Sequence, residues 1–136
     1  MEKQTPSHNQ VFMPLYGLLS DQKEHHIVEL IEKMAIHFVL SDEQKKQIIE
    51  VAKEQSNIEI KSFDQHVNIA LNNMIAMDYL DPVEGGLALN VHYERVFKLT
   101  EKGFEFYKSN KNLSDADFLA AFRLEWKQNI SSKFGL

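Results

Sequence analysis

Three features of the sequence predict a mainly α chain of the α+β type with one β-hairpin late in its length. Apolar residues recur at helical spacing, with Ile27, Leu30, Ile31, Met34, Ala35 and Phe38 at i, i+3, i+4, i+7, i+8 and i+11. Beyond Asp81-Pro82 the period falls to two: Leu87, Leu89, Val91 and Tyr93 alternate, and Phe97 and Leu99 share a face. The chain has 136 residues, 43 % hydrophobic and 26 % charged, which suits a single core and a single domain.

Residues 1–10, MEKQTPSHNQ, read as a disordered lead-in and residues 131–136 as a frayed tail, leaving 11–130 as the domain. The first helix is expected to open near Val11 and to stop at Ser20-Asp21. Pro14 would then stand in its first turn, where a missing N–H costs little. A polar stretch, Lys23 to His26, leads into the periodic second helix. Ser41 and Gln44 form a Ser-x-x-Gln capping box that opens a third helix through about Gln55. Residues 57–61 stay open between loop and short strand. A fourth helix is expected from about Phe63 to Tyr79, with Val67, Ala70, Leu71 and Met74 inward, ended by Asp81-Pro82. Gly85-Gly86 bends the chain into the hairpin, and Thr100 caps a short helix over 101–108. A last amphipathic helix over 113–130 carries Phe118, Leu119, Phe122 and Trp126 on one side. Three helices closed by a hairpin make a winged helix-turn-helix, here with an extra carboxy-terminal helix.

Composition narrows the function classes. The net charge of −5 argues against a protein that coats nucleic acid or an anionic membrane through bulk charge. No cysteine is present, which removes disulfide scaffolds, thiolate zinc fingers and cysteine nucleophiles. The first decade has no apolar stretch of a secretory signal, and the longest apolar run, Met34 to Leu40, is interrupted by His37. A cytoplasmic protein without membrane contact is expected. The six histidines form no H-E-x-x-H or clustered ligand spacing, so no metal or other cofactor is expected. There is no G-x-S-x-G, P-loop or glycine-rich phosphate cradle, and the chain reads as not an enzyme.

Several dispersed segments resemble the amino-terminal winged-helix domain of Mrr-type restriction proteins. Pro14-Leu15, Leu19-Ser20-Asp21, His25 and Glu29-Leu30 follow that family's opening pattern, and Phe38 with Leu40-Ser41-Asp42-Glu43 follows its next segment. Phe63, Val67, Ala70, Met74 and Leu80 fall on its long helix, and Phe97-Lys98-Leu99-Thr100-Glu101-Lys102-Gly103 is similar to the strand leaving its wing. The resemblance spans about residues 12–107. It implies the winged-helix fold and a DNA-contacting role. His66 stands where the family has arginine, Ile69 where it has tryptophan, and Met77-Asp78 where it has Ala-Gly. With about thirty residues left after the match, the family's nuclease domain is not expected.

The fourth helix takes the recognition position. Gln65, His66, Asn68, Asn72 and Asn73 are expected on its outer face, where amides pair with adenine in a major groove. Arg95, Lys98 and Lys102 on the return strand and following helix are the candidates for phosphate contact with duplex DNA. Charge pulls the other way: from Ser62 to Glu94 there is no Lys or Arg, while Asp64, Asp78, Asp81, Glu84 and Glu94 sum to −5. The sequence therefore supports two functions. One is a small DNA-binding or regulatory module; the alternative is a protein-interaction module that faces a basic partner protein and occupies a nucleic-acid enzyme. The stripe Phe118, Leu119, Phe122 and Trp126 suggests a homodimer interface, or else folds back on the chain's own core.

Overall fold

In a computed structural model, residues 5–49, 59–86, 88 and 90–134 are described, with side chains to residue 129. Helices α1 (His8–Leu19), α2 (Ile27–His37), α3 (Asp42–Lys46), α4 (Ser62–Ala76), α5 (Glu101–Asn110) and α6 (Asp115–Phe134) surround strands β1 (His25–His26), β2 (Leu80–Glu84) and β3 (Val96–Leu99). The fold is thus mixed helix and strand. Its sheet is antiparallel in the order β1-β3-β2, with His25 opposite Phe97 and Leu80 opposite Leu99.

Helix α1 opens at His8, inside the expected lead-in, with the Ser7 N–H donating to Gln10 Oε1 at 2.8 Å. Pro14 consequently sits in the interior of the helix rather than in its first turn. The Ser41–Gln44 box is formed in both directions: the Gln44 N–H donates to Ser41 Oγ at 3.1 Å and the Ser41 N–H to Gln44 Oε1 at 2.9 Å. The helix it opens ends at Lys46, and Ile48 then pairs with Lys61 in an isolated bridge. The expected extension toward Gln55 is broken at Gln47, where ψ is 133°, and from residue 50 on it lies outside the described residues.

The first strand of the hairpin lies earlier than the alternation suggests. Strand β2 runs through Asp81-Pro82 itself, with an irregularity between Pro82 and Glu84, and Val91 to Arg95 form no strand. Leu87 and Leu89 fall outside the described residues. An edge strand tolerates proline because its outer N–H needs no ladder partner. Helix α6 runs on to Phe134, through part of the expected tail.

The core is contiguous. Leu15, Leu19, Leu30, Val67, Leu71, Met74 and Phe97 are buried together, and α1 lies against α2, α4 and α6. A second, aromatic layer joins α1 to the carboxy-terminal helices: Phe118 lies 5.3 Å from Tyr16 and from Phe106, and Phe122 lies 4.4 Å from Phe12. Gly103 admits α5 to this layer, because a Cβ there would overlap the Tyr79 carbonyl oxygen and lie 2.8 Å from its carbon.

Helices α2 and α4 end in the same way. After α2, Leu40 N–H bonds Ala35 O at 3.0 Å and Val39 N–H bonds Ile36 O at 3.1 Å; after α4, Tyr79 N–H bonds Met74 O and Asp78 N–H bonds Ile75 O. This is the Schellman cap, which needs a left-handed residue just past the end and usually has glycine there. Here Val39 takes φ +52° and Asp78 φ +61°. A β-branched residue pays most in that region. Val39 is 85 % exposed, so nothing in packing is lost on its removal. Val39→Gly is expected to raise stability by about 1 kcal/mol, read as an upward shift of a few degrees in Tm.

Candidate functional site

Helix α4 and the 85–95 loop form the site in which the sequence puts base-reading amides. Asp64, Asn68 and Asn72 stand at i, i+4 and i+8, and Gln65 stands three before Asn68, so all lie along one side of α4. That side faces the loop. Asn68 Nδ2 donates to the Ala88 carbonyl at 3.0 Å and Asn72 Nδ2 to the same oxygen at 2.6 Å. Gln65 Oε1 accepts from the Val91 N–H at 2.9 Å, and the Tyr93 hydroxyl donates to Asp64 Oδ2 at 2.5 Å.

Arg95 closes the arrangement. Its side chain is wholly buried, and its guanidinium donates to Asn68 Oδ1, to Asn72 Oδ1 at 2.9 Å and to the Gly86 carbonyl at 2.8 Å. It also lies 4.7 Å over the Phe97 ring. Burial pulls the guanidinium down to about 10, which leaves it charged at neutral pH. Burial likewise raises the Asp64 carboxyl above its usual range against the opposing Tyr93 bond, and Tyr93 is raised by burial and by that same contact. A low-dielectric setting strengthens such a network and makes any unpaired member costly.

The sequence expectation is therefore corrected at four residues. Asn68 and Arg95 are buried, and Gln65 and Asn72 are half-buried with their polar atoms on the loop, so none presents a free edge to a groove. The reason is geometric: the loop after β2 folds across the helix, and its carbonyls and N–H groups need partners. His66 turns toward α1 and stacks with His8 at 6.3 Å; burial, then the charge of His8, lowers its pKa. Asn73 lines a pocket together with Leu119, Phe122, Arg123 and Trp126 of α6. Lys98 and Lys102 are exposed as expected, although Lys98 stands opposite Asp81 in the sheet register and Lys102 lies 5.5 Å over the Tyr79 ring.

The aromatic stripe is corrected too. Phe118 and Phe122 are buried in the chain's own core and Leu119 and Trp126 are half-buried against it, since α6 packs back on α1. An interface made by all four residues is not available on this surface.

A separate ionic cluster centres on His25. Its Nε2 lies 2.8 Å from Asp21 Oδ1 and its Nδ1 2.9 Å from Glu29 Oε2. Burial disfavours its charge, but the two carboxylates prevail and raise its pKa, while bonding to His25 lowers those of Asp21 and Glu29. The imidazolium therefore stabilises the fold below its unfolded value of about 6.5, and this contribution drains away as pH rises through the higher folded value. The carboxylates contribute above about pH 4 and lose it as pH falls through their lower folded values. His25→Gln is expected to lower Tm most between about pH 5 and 6.5 and least above about pH 8. Thermal melts across the range check this; an equal loss at every pH would make the imidazole a packing group only.

Among the described residues no cluster of three or more His, Asp or Glu is arranged to hold a metal ion, and no helix is long and apolar enough to cross a membrane. No protein-family model, curated protein or solved structure matches the chain.

Proposed function

We propose that this chain is a non-catalytic interaction module of the winged-helix type, in which α4 occupies the recognition position, the 85–95 loop is the wing, and the exposed acidic face binds a basic partner protein. The element order supports the fold reading: α4 runs directly into β2, the loop follows, and β3 returns between β1 and β2. The observation that carries the function is Arg95. It is the sole Lys or Arg between Ser62 and Phe97, and its guanidinium hydrogen bonds go to α4 and the wing. What remains on the outside is acidic, with Asp78, Asp81, Glu84 and Glu94 all exposed. Phosphate affinity comes from Lys and Arg, so this face is a poor match to a duplex and a good match to a cationic surface.

Exposed Lys98 and Lys102 favour duplex DNA as a second reading. One experiment separates the two: anisotropy of a labelled Lys/Arg-rich peptide and of a labelled random duplex, each through a salt series. The peptide is expected to bind, to weaken steeply with salt, and to lose about tenfold in affinity on Asp81→Asn/Glu84→Gln/Glu94→Gln but not on Asp115→Asn/Asp117→Asn. Duplex binding with a salt slope of several units, removed by Lys98→Ala/Lys102→Ala, would replace this reading with the DNA one.

A further inference from the structure

The pocket beside Asn73, of about 230 Å³, opens on the other side of α4, where α1, α4 and α6 meet. Phe12, Phe122 and Trp126 give it aromatic walls, with the Phe122 ring 4.4 Å from Phe12 and 6.1 Å from Trp126. His8, Asn9, Asn73 and Arg123 supply its polar edge. The side chains of Asn9, Asn73 and Arg123 make no hydrogen bond or ion pair among the described residues, and no carboxylate is among the described residues lining the pocket. In a chain carrying −5 overall, Arg123 thus sets a positive charge at an aromatic pocket with no carboxylate among its described lining residues.

We infer that this pocket binds a small aromatic carboxylate. Flat rings pack on aromatic walls in offset or edge-on geometry, which favours an arene over an aliphatic chain. The Arg123 fork matches a carboxylate in two parallel bonds, and the Asn9 and Asn73 amides have N–H groups to offer beside it. Helix α1 begins at His8, so its positive end lies at the same edge and adds to the attraction for an anion. The volume sets the ligand's size: drug-sized molecules take roughly 300–1,000 Å³, so this pocket suits a single ring with a short acid arm. A ligand there touches α1, α4 and α6 together, and its binding is independent of what the acidic face engages.

Trp126 is the chain's single tryptophan, so its emission reports directly from the pocket wall. The full chain is titrated with benzoate and with phenylacetate; acetate supplies the charge without the ring, and benzyl alcohol the ring without the charge. The expected result is a saturable change in Trp126 emission with at least one of the two acids and with neither control. Arg123→Gln, at an exposed position, is expected to weaken the acid about tenfold or more without altering thermal unfolding. Amide chemical shifts at His8, Asn9 and Asn73 provide a second readout, so a silent fluorophore does not hide binding. No saturable response by either readout up to about 10 mM acid, an equal response in Arg123→Gln, or an equal response to benzyl alcohol overturns the inference.

Discussion

Phe122→Asp is expected to abolish the cooperative thermal unfolding of the chain rather than to release a folded monomer. The ring is 4 % exposed and packs on Phe12, Tyr79 and Phe106 with centroids 4.4, 5.9 and 6.1 Å away. Truncating a buried phenylalanine costs about 3–5 kcal/mol, and a carboxylate without a partner in that space adds its own desolvation. Together these approach the whole stability of an ordinary domain, about 5–15 kcal/mol. Circular dichroism melts with light scattering check it. A variant that melts like the wild type but changes its mass would return Phe122 to an intermolecular surface.

Arg95→Ala is expected to cost about 3 kcal/mol and roughly 10 °C in Tm. The loss does not come from charge pairing, since the guanidinium bonds the amide oxygens of Asn68 and Asn72 and the Gly86 carbonyl, none of them a carboxylate. It comes from the acceptors left behind, the Asn68 and Asn72 amide oxygens and the Gly86 carbonyl, which would lose a donor in or beside the interior. A double-mutant cycle with Asn68→Ala is the informative measurement. Asn68 shares the bond, so the paired variant should lose clearly less than the sum of the two single losses, by at least about 1 kcal/mol. Additive losses would mean that Arg95 and Asn68 support the loop separately.

Much of the helical framework was legible because its signals are local. The 3.6-residue spacing from Ile27 to Phe38, the Ser41–Gln44 box and the Thr100 cap each act within a turn or two, and Thr100 Oγ1 accepts the Gly103 N–H at 3.0 Å as such a cap should. The strands were harder to find. Asp81-Pro82 carries the marks of a stop, and only the tertiary position of β2 at a sheet edge lets a strand pass through it. Gln65, Asn68 and Asn72 read as an outer face because a polar stripe looks the same in sequence whether it meets water or a folded loop. A signal did exist: Gln65, Asn68 and Asn72 share one side of the helix, and Arg95 is the lone cation after a long stretch of none. Three amides on one side of a helix and a single cation after it imply a network more than a row of independent contacts. The pocket at Asn73 and Arg123 had no such trace, since its residues come from three helices far apart in the chain.

The two borders of the sheet restrict how any partner can attach. On one side β1 offers two residues; on the other, β2 carries Pro82 and a break in register before Glu84. Neither border presents a run of free N–H and C=O groups long and regular enough to template an incoming strand. Strand addition, one of the commonest ways to capture an extended peptide, is thereby closed at the borders of this sheet, and self-association into a continuous sheet through them is closed with it. Recognition is left to side chains, through charge on the wing and through shape and chemistry between the helices.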